Sequence, residues 1–277
     1  MSRIGGISRL ETSPRVSRVY ELWPGLFSWL TVSHTMSDVG ESPITASLAA
    51  LPFGGEPLPR RHSLSREDVI ESQRGRIQHA VFSAVAAKGY TNTTIADIVE
   101  RAAVSRQTFY QHFASKEECF KAAYDAGGVL VREHMGPAVE PALHGPWRDL
   151  VRIAFDSYLD LLASEPEASW AMLVEVFCAG PAFVGRGADY KRAFADLFRV
   201  MHYVAREQEP ELPELSSGVF DVLVGGIIDR VRDCLYHQGA AELRTLEPML
   251  SEAVFTVFGA PSAQANGKRP MQVVANG

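Results

Sequence analysis

The sequence predicts an all-α fold on three observations. Apolar residues recur at i, i+3, i+4 and i+7 in successive segments, the spacing of one helix face. Gly and Pro fall between those segments, at Gly89, Gly180-Pro181, Pro210, Pro213 and Gly239, where helices stop. From Ala126 to Phe258 there is no Val/Ile alternation of strand type and no Asn-Gly or Asp-Gly hairpin signal. The expected architecture is an N-terminal three-helix helix-turn-helix domain at 65–114, followed by a larger helical domain at 115–259.

In chain order, Ser65-Arg66-Glu67-Asp68 resembles a capping box and opens a helix to Lys88. Ile70, Ile77, Val81, Ala84 and Val85 form its apolar face, and Gly89 ends it. Tyr90 is expected to plug the same small core. A second helix starts at Thr94, whose hydroxyl can accept from the Asp97 amide while Asp97 reaches back. Its buried face is Ile95, Ile98, Val99 and Ala102. Ala102-Ala103-Val104 makes the turn, and Ser105 caps a third helix running to Phe113. Phe109 and Phe113, four apart, share a face and anchor that helix.

Steps of about 100° per residue put Gln107, Thr108 and Gln111 on the opposite face, with Arg106 and Tyr110 flanking it and His112 beside them. Such a face offers hydrogen-bond donors and acceptors to base edges. Gln pairs bidentately with adenine, Arg with guanine, and a Thr methyl touches a thymine methyl. Two short capped helices whose polar residues merely face water would satisfy the same periodicity.

Charge distribution bears on the choice. The chain carries −6 overall, yet residues 59–116 hold nine Lys/Arg and five Asp/Glu, so this segment is +4 and the remainder −10. Phosphate attraction is local, screened over about 8 Å at physiological salt, so a basic head on an acidic body can bind a duplex. A chance fluctuation of a few charges would look the same. Cys119, Cys178 and Cys234 are isolated, which argues against a disulfide framework or a zinc site and suits a reducing cytoplasm. Cys178 and Cys234 read as ordinary buried thiols, with redox sensing as the alternative.

The remaining elements are helical. They run from Pro146 to about Ser164, from Glu167 to Ala179, onward to about Glu207, then Ser216–His237 and Ala241–Phe258. Val219, Val222, Leu223, Ile227, Val231 and Leu235 form the stripe of the penultimate helix. Residues 1–64 are expected to be a disordered extension, or an over-long start with initiation at Met36, and 260–277 a flexible tail. Arg3, Arg9, Arg15 and Arg18 before an apolar patch imitate a secretion signal, but Glu21, Pro24 and Gly25 interrupt it. No run of 18 or more apolar residues suggests a membrane span. No G-x-S-x-G, H-E-x-x-H, Walker A or Gly-rich nucleotide loop is found, and the eight histidines do not pair at metal spacing. No catalytic residue, metal or cofactor is therefore expected.

The residue order over roughly 66–125 resembles the helix-turn-helix of TetR-type transcriptional regulators. Gly89-Tyr90, Thr93-Thr94, Ile95-Ala96, Ile98, Ala102, Val104-Ser105, Thr108-Phe109-Tyr110, His112-Phe113 and Ser115-Lys116-Glu117 carry the likeness. Ala103 and Gln107 depart from it, since the family often has Gly at both. If the turn needs a positive φ, Ala103 costs on the order of 1 kcal/mol.

The resemblance implies that Thr94, Ser105, Arg106, Gln107, Thr108, Tyr110, Gln111, His112 and Lys116 meet DNA, with Lys116 and Thr94 at phosphate. It implies a homodimer through the last two helices gripping a pseudo-palindromic operator, where Gly225-Gly226 would admit a partner backbone. It also implies a small-molecule effector of hydrophobic or amphipathic character among Phe155, Tyr158, Trp170, Phe177, Phe183, Tyr190 and Phe194. Glu175 lies off the apolar stripe of its helix and is expected to face water. The resulting expectation is a cytoplasmic repressor released by its effector. A ligand-independent DNA-binding dimer, or a helical enzyme or lipid-binding protein, is the alternative.

Overall fold

The computed structural model describes residues 66–260; what was expected of the arm before Arg66 and the tail after Ala260 lies outside the described residues. Nine α-helices follow in order: α1 Arg66–Lys88, α2 Ile95–Ala102, α3 Arg106–His112, α4 Lys116–Ala142, α5 Trp147–Ser164, α6 Pro166–Leu173, α7 Ala182–Gln208, α8 Ser217–His237 and α9 Glu247–Val257. Two 3₁₀ turns, Glu175–Ala179 and Ala240–Leu246, precede α7 and α9 respectively. The described residues contain no strand, so the fold is all-α.

Two expected helices are split, each for a local reason. The segment after Glu165 is α-helical only to Leu173 and then tightens into the 3₁₀ turn, which carries Glu175 and Val176 toward α1. The last expected helix contains Pro248. Proline has no N–H and its ring crowds the carbonyl four residues back, so it sits at least cost in a helix's first turn. The α-helix instead begins at Glu247, with Pro248 in its first turn where the missing donor costs nothing.

Two apolar clusters organise the molecule. In the body α5 is central, touching α4, α7, α9 and the second 3₁₀ turn. Its start is fastened to the end of α7. Pro146 offers no side-chain cap, and Gln208 Oε1 accepts from the Trp147 amide at 3.1 Å instead. The Trp147 indole donates to Glu209 at 3.0 Å, and Arg148 pairs with the same carboxylate. The second cluster surrounds α1 but does not close within 65–114. Phe120, Ala123 and Tyr124 of α4, Ala168 and Ala171 of α6, Val176 and Phe183 complete it.

Two apolar residues assigned to buried stripes are exposed. Ile70 is 43% exposed because the burial of α1 begins only at Ile77. Val222 is 77% exposed, on the outer side of α8. Cys119 and Cys234 are buried, and burial raises both thiols above their ordinary value, so only Cys178 is accessible.

Candidate nucleic-acid interface and effector cavity

The capped start of α2 forms as its residues dictate. Asp97 N–H donates to Thr94 Oγ at 3.3 Å, and Asp97 Oδ2 accepts from Thr94 N at 2.9 Å. Lys88 also pairs with Asp97. That bond, then those from Thr94, holds the carboxyl well below the usual carboxylate range, so the cap stays charged at neutral pH.

The turn after α2 places Ala103 at φ 51°, ψ 47°, the left-handed region. Val104 N then bonds Val99 O at 3.1 Å, closing a Schellman-type end. Arg76 of α1, a residue the sequence reading passed over, satisfies the last carbonyl with Nη1 at 2.9 Å from Ala102 O. A left-handed Cβ costs about 1–2 kcal/mol, while glycine's extra freedom in the unfolded chain takes back about 0.4–1 kcal/mol. Ala103→Gly is therefore expected to stabilise the protein by about 0.5–1 kcal/mol, read as a rise of about 1–4 °C in the thermal midpoint.

Ser105 caps α3 through Thr108 N at 2.9 Å. Phe109 and Phe113 are buried at 0% and 2% exposure, with ring centroids 5.9 Å apart. Pinning one face this way turns Arg106, Gln107, Tyr110 and Gln111 outward, all exposed, with Thr108 half-buried. Tyr110 stands edge-on to Phe109 at 5.5 Å, which limits its ring to one orientation. Thr94 and Ser105 are exposed, their hydroxyls engaged in the caps.

Two expected contact residues point elsewhere. His112 turns toward α1, its Nε2 3.4 Å from Gln73 Oε1, because it follows the buried stripe around the helix. Burial, and then nearby Arg74, lowers its pKa below the ordinary value. Lys116 folds inward, donating to Tyr90 O at 2.6 Å and Thr93 O at 2.8 Å, with its ammonium 4.3 Å from the Tyr90 ring centroid. Two carbonyls and an aromatic face outcompete solvent for this short-range cation. The basic count of the head is reduced accordingly. Lys88 and Lys116 are paired internally, Arg76 caps α2, and Arg74 lies 4.8 Å over Phe113. Arg101, Arg106 and Lys121 are exposed.

Tyr90 joins this head to the body. Its N–H donates to Glu175 Oε2 at 2.9 Å, and its carbonyl accepts from Lys116. Its ring packs on Phe120 at 5.1 Å and Phe183 at 6.5 Å. Glu175 is thus not turned to water. Gly89 beside it sits at φ +77°, a backbone conformation that favours glycine.

Residues 80–123, spanning the end of α1 to the start of α4, match the family profile described as bacterial regulatory proteins, tetR family. That segment carries the helix-turn-helix of the tetR family. Solved TetR-type structures share the fold at low identity. The fatty acid degradation regulator FadR from Bacillus halodurans aligns with a TM-score of 0.59 at 15% identity, over 66% of this chain and 94% of that one. FadR from Bacillus subtilis in complex with stearoyl-CoA gives 0.55 at 16%, over 65% and 96%. A tetR-family regulatory protein from Rhodococcus RHA1 gives 0.54 at 18%, over 68% and 98%. No curated protein sequence matches the chain.

Among the voids of the helical body, two are lined by aromatic side chains. The near one, with a clear volume of ≈ 30 Å³, lies between α4, α5, α6 and α7, with Tyr124, Tyr158, Tyr190, Ser169, Glu165 and Met172 among its walls. The far one, with a clear volume of ≈ 20 Å³, is lined by Phe155, Phe194, Phe198, Met201 and other apolar side chains, and by Tyr158. Of the seven aromatics expected around an effector, Phe155, Tyr158, Tyr190 and Phe194 line these voids.

The other three do not. Trp170 stacks on Tyr236 of α8 at 5.6 Å. Phe177 is 67% exposed, with Arg232 over its ring at 5.0 Å, because the 3₁₀ turn rotates it outward. Phe183 is drawn into the head cluster by Tyr90, Phe120 and Tyr124. Among the described residues no group of His, Cys, Asp and Glu is placed to hold a metal, and no helix is long and apolar enough to cross a membrane.

Proposed function

We propose that this TetR-type protein is a dimeric repressor that reads a pseudo-palindromic operator with α3 and leaves it when a hydrophobic or amphipathic small molecule enters the body. The observation that carries the reading is the outward row of Arg106, Gln107, Tyr110 and Gln111, held by the buried pair Phe109 and Phe113. Two copies would place such rows in major grooves about one helical turn apart. The setting of such a protein is the cytoplasm. Selection of bound duplexes from a random pool tests the reading. The expected result is a salt-sensitive consensus with two-fold symmetry, whereas an enzyme or lipid carrier would return none. Gln107→Ala is expected to relax preference at one or two base pairs by about 1–3 kcal/mol, measured by competition with single-base variants of that consensus.

Release is a shift of population, so the effector must favour one head–body arrangement over another. The link through Tyr90 is the element we assign to this coupling. Glu175 takes its amide and Lys116 its carbonyl, so movement of the 3₁₀ turn or of α4 reaches the loop before α2. Glu175→Ala is expected to speed hydrogen exchange at the Tyr90 amide about tenfold or more, because a hydrogen bond to a carboxylate contributes about 1.5–3 kcal/mol. Unchanged exchange would remove Glu175 from the coupling. Acyl compounds are the first to screen, given the fatty acid degradation regulators and the stearoyl-CoA complex that share the fold. A ligand-independent dimer is the second reading, favoured by how closely the cavity walls approach. Only ≈ 30 Å³ of the near void could hold the centre of a water molecule. Thermal-shift screening with acyl compounds separates the two.

A further inference from the structure

Resting on the reading of the protein as a dimeric regulator, we infer that the second copy of this chain covers the 3₁₀ turn Glu175–Ala179 as well as the outer side of α8. The partner thereby steadies the Tyr90–Glu175 link, so that assembly of the dimer fixes each head on its own body.

Seven large apolar residues are exposed among the described residues, and three of them, Val69, Ile70 and Tyr110, belong to the head. The other four are Phe177 in the turn, Val222 and Tyr236 on α8, and Met249 on α9. Val222 and Tyr236 lie within about 40° of each other on a helical wheel, so they share the outer side of α8. Phe177 joins that side at its flank, where Arg232 of α8 stands 5.0 Å over its ring. Tyr236 stacks on Trp170 of α6, just before the turn, with the two planes 14° apart. Exposed apolar side chains grouped in this way mark a surface that another molecule covers.

The charge of this face selects its occupant. Between Val222 and Tyr236 it carries Asp229 paired with Arg232, and Asp233 paired with Arg230. The four charges cancel, so the face holds no net attraction for a nucleic acid or a strongly charged protein. A copy of itself suits it, because an isologous contact sets each patch against the same patch, and a balanced patch avoids like-charge repulsion. Gly225 and Gly226, on the same side, have no side chain to hold a partner backbone away.

The turn then transmits the contact. It is five residues long and has no side-chain cap, so it is held by what its side chains touch. Glu175 accepts from the Tyr90 amide at 2.9 Å, and Val176 is buried in the head cluster. Phe177, the next residue, faces the other way, toward Arg232 and the proposed partner. A partner that buries Phe177 therefore restrains Glu175 two residues away, and loss of the partner frees both.

The test follows sedimentation, and hydrogen exchange at the Tyr90 amide, in the full-length wild type and in Phe177→Ser, Phe177→Leu and Val222→Asp. Phe177 and Val222 are exposed within one chain, so these substitutions leave the protomer folded. Phe177→Ser is expected to raise the dimer dissociation constant about tenfold or more, and Phe177→Leu by no more than about threefold. Val222→Asp reaches the monomer without touching the turn, and its Tyr90 amide is expected to exchange at least about fivefold faster than in the wild-type dimer. A dimer constant unmoved by Phe177→Ser overturns the inference. So does equal Tyr90 exchange in the Val222→Asp monomer and the wild-type dimer, or a Val222→Asp protein that stays dimeric. A wild-type chain that sediments as a monomer overturns both this contact and the dimeric reading. A dimer that shows both effects yet binds no duplex overturns the function proposed above and leaves the contact standing.

Discussion

Phe109→Ala is expected to abolish sequence-specific DNA binding and to destabilise the protein by about 3–5 kcal/mol. Phe109 has no exposed surface and lies against the rings of Phe113 and Tyr110. The helix it belongs to spans seven residues, Arg106–His112. A helix this short does not persist in water on its own, so its order comes from the burial of its apolar face. Removing the ring leaves a cavity under the element that presents Gln107 and Gln111. Phe109→Leu keeps most of the volume and is expected to lose less on both counts. Thermal unfolding and fluorescence anisotropy on the selected duplex measure the two effects together. Wild-type affinity in a folded Phe109→Ala protein would show that α3 does not do the reading.

Val222→Asp is expected to lower operator affinity by a factor of about 10²–10⁴, the advantage of linking two binding heads. Val222 is 77% exposed, and Cβ atoms added at Gly225 or Gly226 would meet nothing within 4 Å. On a helical wheel Val222, Gly225 and Gly226 share one side of α8. Met249 of α9, 44% exposed, is a further apolar contact for the proposed dimer. An aspartate there makes no contact within one chain and leaves the monomer fold intact. In a dimer packed on this face it would bring two carboxylates together in a desolvated seam. Light scattering should report a monomer, and anisotropy the lost affinity. A variant that stays dimeric with unchanged affinity would move the dimer contact away from α8.

The elements most legible in the sequence were those specified within a few residues. Thr94 with Asp97 and Ser105 with Thr108 each set a helix start over a span of three positions. The Phe109–Phe113 pair orients α3 by its spacing alone. Less legible were side chains with two plausible partners. Lys116 was expected at phosphate from the family resemblance, at a helix start that favours anions. Tyr90 and Thr93, more than twenty positions earlier, offer it two carbonyls. Phe177 and Phe183 carry the same apolar signal as Phe155, yet a 3₁₀ turn sends one to solvent and the head cluster takes the other.

By itself, then, the sequence determined the helical class, the helix-turn-helix wedge and the outward placement of Arg106, Gln107, Tyr110 and Gln111, because caps, turns and 3.6-residue periodicity act over one or two turns of chain. Only the tertiary structure decided how the head is fastened to the body. The Tyr90–Glu175 bond joins residues 85 positions apart, and Tyr158 divides two voids whose walls come from several helices. Such partners meet through packing of distant segments, and no local pattern in the chain encodes that meeting.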